Sequence, residues 1–503
     1  MRAAEIQERS LVIACTSLCT LAAAIGWFAN PGELTLPLAL VSFLPPLGVA
    51  FVRATRNGIV DPLAVFALSF AAYNGILLLR LNYGAAPHVV PFAIDGPMFF
   101  RAGILSGLGS LGLVLGWLLS TNGRSKPMRP GSPVQCTASF LTGTAFYLMG
   151  IALYLVQYWQ MGGYMQSVAM DRGQRFEMMK NTVSTPYEGF VVGGLCLMVY
   201  AGLGGAKSRL VLSSAASLLW LGLVLLQGDR RLALQIIMAL AVVIGTLRPK
   251  TTKLRPAALV VIASAYLVAV IFGEYRELIY DLAAGRSTLK QAQIAADSQE
   301  SVSGKPEDSE LGGPYISVLY YSSGKEPLRW GLSYASSVPA FLPRALYPGA
   351  KTPPISNDLD EALHEGVGPV YGWGFSPVAE GFANFGLAGP LTAMVLWSMG
   401  FAWLGSNRYR SLAGMVVCAT LLQEAVNANR IDFRYVYLES VYCSSVGIIA
   451  VMTMKAVTGI TNRGRYRARM IASRMPSIPA QRRMPITKLG ASTPARPVHS
   501  GQE

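Results

Sequence analysis

Residues 219–245 read "LWLGLVLLQGDRRLALQIIMALAVVIG". Two apolar runs flank Gly228-Asp229-Arg230-Arg231, and neither run contains a charge. A helix needs about 20 apolar residues to cross a hydrocarbon core about 30 Å thick. Extended to residues 209–227 and 232–247, the runs come close to that length. The stretch therefore reads as a helical hairpin in a membrane, with two guanidiniums at its tip. Burying both unpaired in hydrocarbon is costly, so the tip belongs at a membrane surface. Which surface is decided by the rest of the chain.

The same pattern recurs along nearly the whole sequence. Hydrophobic residues make up 52% of 503 and charged residues only 14%, against roughly a quarter charged in soluble domains. The expected fold class is all-α, a polytopic membrane protein; an outer-membrane barrel would show short alternating segments instead. Twelve spans are predicted at about 11–29, 34–52, 61–81, 99–119, 138–159, 188–204, 209–227, 232–247, 256–273, 385–404, 411–428 and 435–456. The first lacks a small-residue cleavage site and is expected to be retained.

Lys and Arg of short loops accumulate on the cytoplasmic side. Every second connection is basic here: Arg53 and Arg56; Arg124, Lys126 and Arg129; Lys207 and Arg209; Arg248, Lys250, Lys253 and Arg255; Arg408 and Arg410. The tail, with Arg463, Arg465, Arg467 and Arg469, falls on the same side, so both termini are expected to be cytoplasmic. Segments assigned inside then sum to +21 and the remainder to −6, which together reproduce the formal +15. The basic balance is thus a topology signal, and no nucleic-acid partner follows from it.

Four regions are expected. Residues 1–273 hold spans one to nine, 274–384 form a large outer loop or lid, 385–457 hold spans ten to twelve, and 458–503 form a basic, disordered tail near anionic lipid headgroups. Within the loop, the half rich in aromatics, Gly and Pro suits an ordered lid with short helices on the membrane. All six cysteines lie in spans or at their edges, where they read as small apolar residues. With three histidines in the chain, no metal site and no cofactor is expected.

Against this frame the 228–231 tip faces outward, contrary to the charge bias. Arg172 and Arg175 in "MDRGQRFEMMK" and Arg430 and Arg434 in "NANRIDFRYVYLE" do the same. Glu424 and Glu439 lie within predicted spans, where a carboxylate usually faces a bundle interior. Arginine forks suit bidentate contacts with phosphate oxygens. Arg230, Arg231, Arg430 and Arg434 are therefore candidates to bind a phosphate- or pyrophosphate-bearing ligand, with Arg172 and Arg175 near them and Asp229 and Asp432 orienting the arginines. The plainer alternatives are helix-stabilising ion pairs and snorkelling to headgroups.

The stretch "HEGVGPVYGWGFSPVAEGFANFGLAGP" carries His364, Ser376, Glu380, Asn384, Phe385, Gly386 and Gly389. Ser376 and Glu380 also fit a helix cap and first turn. "SPVAEGFANFGLAGP" resembles the Ser-x-x-x-Glu-x-x-x-Asn-Phe-Gly-x-x-Gly stretch of Wzy-type O-antigen polymerases, and "QGDRR" resembles their Gly-x-Arg turn before an apolar helix. With a histidine upstream, the stretch is also similar to that of O-antigen ligases.

The resemblance implies a GT-C-like fold in a bacterial inner membrane. It implies metal-independent, inverting transfer of a glycan from undecaprenyl pyrophosphate onto a lipid-linked repeat unit at the periplasmic face. Glu380 or His364 would act as base, Arg231 with its neighbours would hold the pyrophosphate, and Asn384 would contact glycan. The implied partners are the lipid-linked oligosaccharide, membrane lipids, a chain-length regulator and a flippase. A ligase with a different acceptor and a twelve-span transporter are the rival readings.

Overall fold

A computed structural model describes residues 35–76, 96–120, 131–169, 186–205, 207–227, 230–248, 307–342, 354–359 and 374–474, together with short pieces elsewhere, including helical residues between 9 and 21. Among the described residues every regular element is helical. In chain order these are α1 Thr35–Asn57, α2 Pro62–Phe70 (continued by a π turn, Ala71–Ile76), α3 Gly96–Leu119, α4 Pro133–Gln160, α5 Tyr164–Ala169, α6 Tyr187–Leu203, α7 Lys207–Leu226 and α8 Arg230–Leu247. They are followed by α9 Glu307–Ser322, α10 Leu332–Ser337, α11 Pro377–Phe385, α12 Ala388–Asn407, α13 Leu412–Leu421, α14 Glu424–Asn427 and α15 Phe433–Arg474.

Among the described residues, five helical segments are long and apolar enough to cross a membrane: Leu36–Asn57, Gly96–Leu119, Pro133–Gln160, Lys207–Leu226 and Phe433–Asn462. Pro62–Gly75, Tyr187–Leu203, Arg231–Leu247 and Leu412–Leu421 are apolar but shorter. The protein is thus a helical, membrane-embedded one. Helices stand at ten of the predicted spans. The first span is described only in part, and the ninth (256–273) lies outside the described residues.

Two predicted spans are interrupted, and both breaks have local causes. The eleventh ends as α13 at Leu421, then turns through Leu422 and Gln423 into the four-residue α14. Side chains of Gln423, Glu424, Asn427 and Asn429 are buried around this break. The tenth begins later than expected, at Ala388, because Gly386 adopts φ 60° and ends α11. A left-handed residue at that position favours glycine.

Close helix crossings rest on small residues. On α4 and α6, a Cβ added at Gly143 or Gly194 would lie 2.7 Å from the other's carbonyl oxygen. At the α11–α12 corner, a Cβ on Gly389 would overlap the Gly381 carbonyl. Hydroxyls bind these helices across their contacts, as where Ser110 donates to the Val41 carbonyl (2.7 Å) and Ser398 to that of Leu113 (2.9 Å).

Residues 1–456 form one compact unit and 457–503 a second. In the second, residues 457–474 are helical, so helix extends past the point where the sequence places a disordered tail.

Candidate functional site

Ser376 caps α11: its hydroxyl accepts from Val378 N at 3.2 Å and donates to Asn74 Oδ1 at 3.0 Å, tying the helix to the π turn. Spacing of four then places Ser376, Glu380 and Asn384 along one stripe of α11, since residues three and four apart share a helix face. All three are buried, Glu380 to 2% exposure and Asn384 to 0%.

Glu380 is the centre of a converging network. Its Oε1 accepts from the Ser333 hydroxyl at 2.7 Å and its Oε2 from Phe433 N at 2.8 Å. Asn384 Nδ2 donates to Ser333 Oγ at 2.7 Å and to the Glu380 carbonyl at 2.8 Å. Three elements thus meet on one carboxyl: α10, α11 and the start of α15. Arg329 N donates to the Ala383 carbonyl at 2.8 Å, and its guanidinium pairs with Asp358. Asp432 lies beside Glu380, accepting from the Ser356 hydroxyl at 2.6 Å and from Tyr435 N at 3.2 Å.

Burial pushes the Glu380 carboxyl up to about 8, and the neighbouring Asp432 charge pushes the same way. The Phe433 amide, the Ser333 hydroxyl and the Arg329 charge oppose the rise without cancelling it. Burial also raises Asp432 above the usual carboxylate range, against its hydrogen bonds and the nearby Arg434. The Tyr321 and Tyr334 hydroxyls, both buried and near enough to feel the Glu380 charge, find no hydrogen-bond partner among the described residues. Burial raises both phenols. A carboxyl with its pKa raised in this way is a stronger base than an ordinary carboxylate once ionised.

A second constellation lies across the 427–433 turn. Arg231, at the start of α8, gives Nη1 to Glu439 at 2.8 and 3.1 Å and Nη2 to Glu188 at 2.7 Å. Glu188 opens α6 and Glu439 lies near the start of α15. Glu424 is buried nearby, accepts from Asn427 at 3.2 Å, and its Oε2 has no hydrogen-bond partner among the described residues. The Arg231 guanidinium thus bonds Glu188 and Glu439 and lies close enough to Glu424 to interact with its charge.

The structure brings together Glu380, Asn384 and Asp432, and Arg434 lies near Asp432. Arg430, half-buried, contributes its carbonyl, which accepts from Phe375 N at 2.7 Å and holds the entry to α11. Arg231 is placed with carboxylates. For Arg230 the backbone alone is described, at the first position of α8. His364, Arg172, Arg175 and Asp229 lie outside the described residues.

Sequence reasoning missed Ser333, Tyr321 and Tyr334, which carry no local signal in an aromatic, serine-rich loop. It also missed Glu188, although a carboxylate opening an apolar span was a visible sign. No protein-family model matches the chain, and neither a curated protein nor a solved structure matches it.

Proposed function

We propose that this chain is a glycosyltransferase of the bacterial inner membrane. It polymerises undecaprenyl-pyrophosphate-linked repeat units into a surface polysaccharide at the periplasmic face. The reading takes twelve spans in a GT-C-like fold, with both termini cytoplasmic. Its support is one observation: the Ser, Glu and Asn of "SPVAEGFANFG" share a buried face, and Ser333 links Asn384 to a Glu380 carboxyl raised to about 8.

In this reading Glu380 takes the proton of the acceptor's sugar hydroxyl as that oxygen attacks the anomeric carbon of the donor. The bond from that carbon to the pyrophosphate oxygen breaks, and the pyrophosphate leaves with the electron pair. Attack opposite the leaving group inverts the configuration. Ser333, itself bonded by Asn384, holds the carboxyl in place. A carboxylate of raised pKa, present in about a tenth of molecules at pH 7, is a stronger base than an ordinary one. Arg430, Arg434 and Arg230 are assigned to the pyrophosphate, where fixed positive charge offsets the negative charge developing on the leaving group. Arg231, engaged by Glu188 and Glu439, becomes a positioning residue for that end of the bundle.

The test is complementation of a deletion host. Glu380→Gln keeps the size and one of the two acceptor oxygens but cannot take a proton. Long chains should be lost by about 100-fold or more, with single repeats accumulating and protein amount unchanged. Normal polymer ladders from this variant would end the assignment. Accumulation of finished, lipid-linked polymer would transfer it to a ligase.

A further inference from the structure

Trp330 is the one non-glycine residue with positive φ (51°) among the described residues, and its side chain is 78% exposed. Left-handed backbone is costly for a bulky residue, and an exposed indole in water offers nothing in return. The turn is nevertheless firmly built. Arg329 N bonds the Ala383 carbonyl at 2.8 Å, Leu332 N bonds the Arg329 carbonyl at 3.0 Å, and Ala335 N bonds that of Gly331 at 3.0 Å. Gly331 packs so tightly on the Phe385 ring that an added Cβ would sit 3.0 Å from it. The fold therefore holds Trp330 outward, at the end of α11.

What lies against it follows from the neighbouring surface. Leu328, Leu332, Phe385 and Leu387 are all exposed around the turn. They lead into the uncharged outer stripe of α12, in which Ala388, Thr392, Leu396, Met399 and Trp403 recur at helical spacing, each exposed. From Ala388 to Trp403 the helix rises about 22 Å at 1.5 Å per residue, and Phe385 stands beyond its first turn. The stripe is therefore long enough to cover most of a hydrocarbon core about 30 Å thick.

Other helices repeat the arrangement. On α4, exposed Leu141, Leu148 and Leu155 lead to Trp159, also 78% exposed, and α15 opens with exposed Tyr435 and Tyr442. Tryptophan and tyrosine collect where bilayer meets water.

We propose that the Arg329–Gly331 turn is a bilayer anchor, with the Trp330 indole resting at the boundary of headgroups and hydrocarbon. The occupant of this surface is lipid. Three residues on, Ser333 bonds Glu380, so the anchor also fixes that carboxyl close to the depth of the headgroups. This inference rests on membrane embedding and stands apart from the proposed activity.

The test uses the full chain in vesicles of phosphatidylethanolamine and phosphatidylglycerol. Subtracting the emission of Trp330→Phe from that of the native chain isolates one indole among the 8 tryptophans; Trp330→Tyr provides a second subtraction. The expected difference spectrum is blue-shifted, loses most of its intensity with lipids brominated near the headgroup, and resists aqueous acrylamide. A water-like spectrum quenched by acrylamide would overturn the proposal. So would protection from both quenchers accompanied by cross-linking between copies through this turn, since a second chain would then be the occupant. Failure of both variants to reconstitute would mean that Trp330 holds the fold, and would overturn it too.

Discussion

At one end of α12, Asp61 is gripped by Arg53 through two hydrogen bonds of 3.0 and 2.8 Å, and Asn57 adds a third of 2.9 Å. Arg408 lies beside them and donates to the Val60 and Asn57 carbonyls at 2.7 and 2.6 Å. At the other end, Glu380 is held by a serine and a backbone amide, and Arg231 is shared among Glu188, Glu439 and the vicinity of Glu424. Both ends bury charge. At the first, Arg53 grips Asp61 while Arg408 donates to the neighbouring backbone carbonyls, which joins α1, α2 and α12 into a staple. The second leaves Glu424 Oε2 and the Tyr321 and Tyr334 phenols without hydrogen-bond partners among the described residues. Charge that is fully answered by protein holds a fold together, whereas charge left partly unanswered is available for chemistry.

The contrast breaks most sharply at Asp61. Asp61→Ala removes the carboxylate that answers Arg53 beside Arg408, both buried at 5% and 0% exposure, and removing one partner of a buried ion pair costs about 3–5 kcal/mol. Thermal unfolding in detergent should show a large loss, or no folded protein should be recovered. A variant as stable as the native chain would mean that this end is no staple.

Glu380 predicts a pH dependence of opposite character. Its folded pKa, about 8, exceeds its ordinary value of 4.5, so the folded chain keeps a proton that the unfolded chain releases. The associated stability is complete below 4.5, falls as pH rises through 8, and is bounded by about 5 kcal/mol. Midpoints measured from pH 5 to 9 should decline for the native chain and much less for Glu380→Gln. Parallel curves would show that burial does not govern this carboxyl.

Gly389→Ala sharpens the comparison without touching charge. The added methyl group meets the Gly381 carbonyl and forces α11 away from α12, at about 1–3 kcal/mol. Because α11 carries Glu380 while Arg408 caps the far end of α12, activity should fall while the Asp61 staple survives. Retained polymer synthesis would show that the corner tolerates separation.

The smallest expected effect is that of Arg231→Gln. The Arg231 side chain is 37% exposed, so its two ion pairs are partly screened and their loss costs about 1 kcal/mol. A modest drop in midpoint with a similarly modest drop in activity fits a positioning role. An activity loss of several hundred-fold on a nearly unchanged midpoint would return Arg231 to the pyrophosphate.

Much of the fold was legible because hydropathy is local. A run such as 99–119 declares a membrane helix without reference to any other part of the chain, and the helix α3, long and apolar enough to span, stands there. The grouping of ends was also legible in part: Arg53 and Arg408, assigned to one side by loop charge, meet in space around Asp61, which sequence reasoning did not single out. The motif around Glu380 was legible as a face, since spacing of four is a property of any helix.

Charge pairing was not legible. Arg231 reads in sequence as a free fork at a hairpin tip, yet it pairs with Glu439 across 208 positions and with Glu188 across 43. Ser333 reaches Glu380 across 47 positions, from a loop with no periodic signal. By itself the sequence determined that the chain is a helical membrane protein and which helix ends are polar, because burial in lipid acts on each segment separately. Which arginine is answered by protein and which carboxyl sits near neutrality was decided by the tertiary structure alone, because both depend on what packing brings within hydrogen-bond distance and on how much water it removes.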